Sequence, residues 1–406
     1  MRDALTPVLH RDKRWRSTTV KICAAMFWTN TVSLAGVLAI SLWLLATTNS
    51  YLLSSALFGC QWLLPMLIPK GIAWLIRDRS PRAVAVVSEL ATVAIYLLLT
   101  LCVATGFVPG VFFFVILRGY TSALTRAAAS LAIKLDGAGS SAVEEGIGRI
   151  ELWGLIGNSA SGILFAVAGA TTSAPAMLFV GAAAYLVSAG IYATLTLPAR
   201  TPSGDEPRRA ANPTRIRDAV RAEPMAAMLL AQLTIITLFQ GVHNAVRVAY
   251  PDQVLHEGAD GIGVVSTVGT AALLCGSWLV TREAVRARLG STLPWVFVVV
   301  TGLLAALAVS ITVPASSYAV YFLFFMTFEA GFVHFNRKFV AAVDLDNASV
   351  LLGLRAAVLC GAVVAGIGLT SLALAVTTVG WSVYLVSAVA ICLSLAVYRR
   401  YRRLPA

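Results

Sequence analysis

Pro198-Ala199-Arg200-Thr201-Pro202-Ser203-Gly204-Asp205-Glu206-Pro207-Arg208-Arg209 interrupts, at the middle of a 406-residue chain, a sequence otherwise built from long apolar stretches. The segment and the residues after it, as far as Pro224, are rich in proline, arginine and small polar residues, the composition of a linker. Within it, Thr214 to Ala222 reads as a short basic helix able to lie along a membrane surface. Working outward, six apolar stretches precede it, at approximately 22–46, 51–76, 83–105, 108–133, 150–171 and 174–197. Six more follow, at approximately 225–250, 260–281, 292–312, 317–340, 349–375 and 380–398. A membrane crossing needs about 20 largely apolar residues. The expectation is therefore an all-α membrane protein with twelve transmembrane helices in two six-helix bundles, residues 1–197 and 225–406, joined by a cytoplasmic linker at 198–224.

The basic residues orient these stretches. Of 31 lysines and arginines, 26 fall in the N-terminal segment, in the gaps after the second, fourth, sixth and eighth stretches, at the end of the tenth stretch (Arg337 and Lys338), and in the C-terminal segment. The other gaps hold none. Positive side chains stay on the cytoplasmic side, so both termini are expected inside the cell. Outside turns such as Thr47-Thr48-Asn49-Ser50 are short and uncharged; only the gap at 251–260 is longer, and it carries Asp252, Glu257 and Asp260.

Composition narrows the function. The chain is 58% apolar and 12% charged, with a mean hydropathy of +0.82, against about 25% charge in soluble proteins. No length is left over for a soluble domain. The net charge of +12 is then the sum of inside loops facing anionic headgroups, and nucleic acid is not an expected partner. The expected partners are the lipid bilayer and a small-molecule substrate, with the chain working as a monomer. Cys23, Cys60, Cys102, Cys275, Cys360 and Cys392 all lie in apolar stretches without metal-ligand spacing and read as small buried hydrophobes. The apolar run from Ile22 follows a basic segment but is longer than a signal-peptide core and lacks a convincing cleavage site, so it reads as an uncleaved first span. Arginine outnumbers lysine 26 to 5, which points to a bacterial genome of high GC content and hence to a bacterial inner (cytoplasmic) membrane.

The halves echo each other. The second stretch ends in Arg77-Asp78-Arg79-Ser80-Pro81-Arg82 and the eighth in Arg282-Glu283-Ala284-Val285-Arg286-Ala287-Arg288. The fourth and tenth each carry a charge in mid-span, Arg118 and Glu329. Duplicated six-span halves are a transporter architecture.

On these residues the chain resembles the major facilitator superfamily. The family's inside loop after the second span reads G-x-x-x-D-R/K-x-G-R-R; Asp78, Arg79 and Arg82 match it, with Trp74 at the first glycine and Pro81 at the second. The resemblance implies a cytoplasmic gate there, in which the Asp caps a neighbouring helix and pairs with arginines. Gly157-Asn158-Ser159-Ala160-Ser161-Gly162 is similar to the G-P-x-x-G-G of the antiporter branch, with Asn158 at the proline. Tyr250-Pro251-Asp252-Gln253-Val254-Leu255-His256 to Gly261-Ile262-Gly263 is similar to the branch of the enterobactin exporter and the macrolide-efflux proteins. The resemblance covers nearly the whole chain, and it implies a cavity lined by spans one, four, seven and ten.

Arg118 and Glu329 lie about 10 residues into their spans, roughly 15 Å deep at 1.5 Å per residue. A charge there costs at least about 2.5 kcal/mol and must face a cavity or a partner. Either the two form a permanent salt bridge locking the halves, or Glu329 carries protons while Arg118 tunes it or holds an anionic group. In the seventh span, Gln240, His243, Asn244 and Arg247 follow i, i+3, i+4, i+7 spacing and share a helix face. Gln240 and Asn244 read as cavity residues. His243 is either titratable or simply bonded to a neighbour, and Arg247 reads as snorkelling to the interface. Asn30 in the first span adds cavity polarity. Arg126, Glu151 and Arg355, near the inside face, fit a gate network with Asp78, Arg79 and Arg82, or snorkel.

No nucleophile elbow, H-E-x-x-H or P-loop is present, so no catalytic or metal-binding residues are expected. The expected function is secondary active transport by alternating access. The resemblance implies proton-coupled export, by an antiporter, of a small amphiphilic molecule such as a siderophore or an antibiotic-like metabolite, with drug resistance as a possible outcome. The expected driving force is a proton gradient, with no cofactor. The alternative is proton-coupled import of a sugar, organic acid or peptide, and a membrane-embedded enzyme or sensor is a third reading.

Overall fold

The computed structural model describes residues 2–137, 139–168, 173–197, 216–247, 249–290 and 294–401. The quoted linker thus lies outside the described residues, up to its last turn. The described elements are helices: α1 (Arg2–Thr48), α2 (Tyr51–Cys60), α3 (Leu63–Leu67), α4 (Pro69–Arg77), α5 (Pro81–Thr105), α6 (Val108–Asp136), α7 (Ser140–Ala168), α8 (Ala174–Ala193) and α9 (Ile216–Ala222). They continue with α10 (Pro224–Val246), α11 (Ala249–Gln253), α12 (Gly258–Thr281), α13 (Glu283–Gly290), α14 (Pro294–Ser310), α15 (Pro314–Ala342), α16 (Ala348–Val376) and α17 (Val379–Tyr401). Every apolar stretch read from the sequence is occupied by helix. Among the described residues, nine helices are long and apolar enough to cross a membrane, and a bent pair makes a tenth. The chain is a multi-pass membrane protein.

Local chemistry places the ends. Ser80 accepts from the Ala83 N–H at 3.1 Å and Pro81 opens α5 without a donor to satisfy, while Gly106, at φ +73°, closes it in the left-handed region. Prolines likewise open α4, α6, α8 and α10.

The second stretch departs from the expected continuous span. It is broken into α2, α3 and α4, with a bend of 61° between Ala56–Leu67 and Pro69–Arg77. Pro69 has no N–H to give to a preceding carbonyl and forces Ile68 out of helical geometry (φ −123°, ψ 56°), so the helix cannot run through. The turn at Gln61 is held by α6: a Cβ on Gly119 would stand 1.8 Å from the Gln61 carbonyl oxygen, so only glycine permits this approach.

Two compact units divide the chain. Unit 1 is Met1–Ala219 with Val343–Ala357, and unit 2 is Val220–Ala342 with Val358–Ala406. In unit 1, α1 packs on α7 and α8, and α5 packs on α6 and α8. Its apolar core gathers Ile40, Leu44, Leu57, Leu99, Val115 and Leu178 around Tyr96. In unit 2, α15 packs on α10, α12 and α14, and α17 packs on α10 and α14. Large apolar side chains such as Leu101, Phe113, Phe179, Leu372 and Trp381 are exposed, the surface a bilayer covers. Cys275 and Cys392 are exposed as well, which corrects the expectation that all six cysteines are buried. An apolar helix face turned to lipid needs no burial in protein to hold a thiol.

Candidate functional site

Unit 1 encloses a polar pocket among its apolar helices. Asn30 (α1), Arg126 and Ser130 (α6), Glu151 and Asn158 (α7) and Arg355 (α16) line a small, partly open space. A second, smaller pocket shares Asn30 and Arg126 and adds Ser33, Glu89, Thr125 and Tyr185. The approach of α7 to α1 makes this geometry possible. A Cβ on Gly157 would stand 2.4 Å from the Phe27 carbonyl oxygen, and one on Gly154 would stand 3.3 Å from the Asn30 amide nitrogen. Gly157, the first of the small residues quoted from the fifth stretch, therefore sits where two backbones nearly touch.

Asn30 is held from both ends. Its amide nitrogen donates to the Met26 carbonyl one turn back at 2.7 Å, which leaves its carbonyl oxygen to accept from Arg126 Nη2 at 2.8 Å. Arg126 uses one of five donors in that bond, and its side chain is open to the pocket. Arg355 is buried and donates to Ser130 Oγ at 3.3 Å, and Ser130 donates to the Arg126 carbonyl at 2.9 Å. The pocket thus joins Asn30, expected as a substrate residue, to Arg126, Glu151 and Arg355, expected at the gate.

Asp78, Arg79 and Arg82 lie elsewhere in unit 1. Asp78 ends α4, highly exposed and 3.9 Å from Arg77. Ser80, not Asp78, caps α5. Arg79 lies over the Trp74 ring at 5.2 Å, and Arg82 Nη1 donates to the Leu195 carbonyl at 3.3 Å.

Arg118 is buried in α6, donating from Nη1 to Gln61 Oε1 at 3.2 Å, with Tyr185 beside it. The broken second span supplies this partner: Gln61 stands at the turn that Gly119, the next residue after Arg118, allows to come close. Glu329 is buried in α15 of unit 2 beside Gly276 of α12, where a Cβ would stand 3.1 Å from its own Cβ.

The seventh-span cluster also resolves. His243 bonds through Nδ1 to the Tyr321 hydroxyl and packs edge-on against Phe325 with ring centroids 4.3 Å apart. Tyr321 stacks on Tyr250, whose hydroxyl meets Ser317. Gln240, Asn244 and Arg247 are half-buried. Gln232 is fully buried against α17: its amide donates to the Ser394 carbonyl at 3.1 Å and accepts from Ser394 Oγ at 2.6 Å.

Reasoning from sequence passed over Glu89. It is 2% exposed, sits within an otherwise apolar α5, and lines the smaller pocket with Arg126. The signal was present, since Glu89 is the one carboxylate inside a 25-residue apolar helix.

No protein-family model matches the chain, and no curated protein matches it in sequence. Solved structures do. The chain is similar to a bacterial homologue of the iron transporter ferroportin in an outward-facing state, with a TM-score of 0.72 and 15% identity over 95% of this chain and 100% of that one. It is also similar to the human organic anion transporter MFSD10 (TETRAN), with a TM-score of 0.69 and 14% identity over 95% and 99%. A third likeness is the E. coli fucose:proton symporter FucP, with a TM-score of 0.68 and 10% identity over 96% and 100%. The fold is that of the major facilitator transporters.

Proposed function

We propose that this protein is a secondary active transporter that exports a small amphiphilic molecule in exchange for protons. Residues 1–197 and 225–406 would work as two six-span bundles rocking in turn. The observation that carries this reading is the unit 1 pocket, where Asn30, Arg126, Glu151 and Arg355 meet among helices built to cross a membrane. Charged groups inside spans are expensive and are retained for solute or ion pathways. Arg126, open to the pocket with donors to spare, suits an anionic or hydrogen-bond-accepting group on the solute. The export direction and a siderophore-like or antibiotic-like solute rest on the resemblance carried by Tyr250 to Gly263. Glu329 is the proposed proton carrier of unit 2, a buried carboxylate in an apolar helix.

The test uses inside-out vesicles with an acid interior and a panel of catecholate, hydroxamate and macrolide solutes. Transport should dissipate the pH gradient only when a transported solute is added, and Glu329→Gln should abolish this while leaving the amount of folded protein unchanged. Solute entry that proceeds equally without a gradient would overturn proton coupling, and an unaltered Glu329→Gln variant would remove Glu329 from the pathway.

A further inference from the structure

The hydroxyl groups around Glu89 form a chain. Ser88 Oγ donates to the Thr121 carbonyl at 2.7 Å, and a carbonyl can only accept. Thr125 Oγ1 lies 3.0 Å from Ser88 Oγ, so its single hydrogen must be the one in that bond. Thr121 Oγ1 in turn donates to the Arg118 carbonyl at 2.9 Å and lies 2.7 Å from Thr92 Oγ1, whose one hydrogen also has the Ser88 carbonyl within reach at 2.9 Å. The Thr125 hydroxyl and the Ser188 hydroxyl of α8 both lie against the Glu89 carboxyl group. With its hydrogen committed to Ser88, Thr125 has only lone pairs to offer Glu89. Two acceptors facing each other repel; a carboxyl group that carries a proton donates it and satisfies both.

Glu89 Oε2 is buried and has no hydrogen-bond partner, and an ionised oxygen in that condition is costly to desolvate. Tyr96 on the same helix, Tyr185 and Tyr192 on α8 and Arg126 on α6 are the ionisable groups around it. Arg126, the one cation among them, donates to Asn30. No ion pair joins it to Glu89, although both line one pocket.

We propose that Glu89 is a proton-binding site of unit 1, holding its proton against Thr125 and exchanging it with water in the pocket it shares with Arg126. The proton leaves the carboxyl group for a pocket water when the pocket fills, and the resulting carboxylate has Arg126 at hand. This deepens the transport reading above, and it adds a titrating group to the half of the chain that does not contain Glu329.

Infrared difference spectroscopy of the purified full-length protein at neutral pH, in H2O and D2O, reads the site without any solute. The wild type should show a protonated-carboxyl C=O band that is absent in Glu89→Gln. Removing the acceptor with Thr125→Val should shift that band to higher frequency in a protein that keeps its glutamate, which covers the case of a poorly folding Glu89→Gln. An identical carboxyl region in wild type and Glu89→Gln, or no shift in Thr125→Val, overturns the proposal. The band reports protonation alone, so failure of the vesicle assay with the band present would count against transport and leave the proton site standing.

Discussion

Arg126 Nη2 and Asn30 Oδ1 meet at 2.8 Å, joining α6 to α1 across the floor of a polar pocket. Because Asn30 is itself pinned to the Met26 carbonyl, the guanidinium is aimed by the first span rather than by its own flexible stem.

Asn30→Ala should therefore release Arg126 without removing it. A hydrogen bond to a charged group contributes about 1.5–3 kcal/mol, so KM for a transported solute is expected to rise roughly tenfold or more. Arg126→Lys should show the same loss, because a lysine keeps the charge but not the planar fork. Transport kinetics in vesicles check both, and an unchanged KM in both variants would place the solute elsewhere.

Gly157→Leu should destabilise unit 1. Even the first carbon of the new side chain would stand 2.4 Å from the Phe27 carbonyl oxygen, so α1 and α7 must separate. Forcing extra carbons into a packed contact costs about 1–3 kcal/mol. The thermal melting temperature in detergent should fall, and the pocket residues should lose their register. Gly190→Leu, at a glycine with open space around it, is the matched control.

Gln232 and Ser394 satisfy each other in the dry interior of unit 2. Ser394→Ala leaves the Gln232 carbonyl oxygen without its hydroxyl donor and should cost about 1–3 kcal/mol, whereas Gln232→Leu combined with Ser394→Ala should recover most of that loss. Melting of the two single variants and the double variant measures the coupling; additive losses would contradict it.

Much of the architecture is legible in the residues alone. Apolar run length and the alternation of basic gaps marked twelve stretches, and helix occupies each of them. These are local properties: a segment buried in lipid must satisfy its own backbone, and helix is the way a single segment does so. The break at Pro65 to Pro69 was also written in the sequence, as prolines inside an apolar run, but whether they would kink or interrupt the span depended on α6. Gly119 of that helix receives the displaced Gln61 turn, and the turn then hands Gln61 to Arg118.

The site was legible only in pieces. Asn30, Arg126, Glu151 and Arg355 stood out as polar residues in apolar spans, but sequence spacing relates residues within a helix, not between helices. It could not place Asn30 with the residues expected at the gate, and it could not show that Glu89 belongs with them. Which polar groups share a pocket is set by how closely backbones approach, and here that is decided by glycines such as Gly154 and Gly157 meeting a particular neighbour. Composition and periodicity determined that this chain spans a membrane many times. Helix packing decided which of its few charges face one another, because that depends on interhelical distances that no single segment encodes.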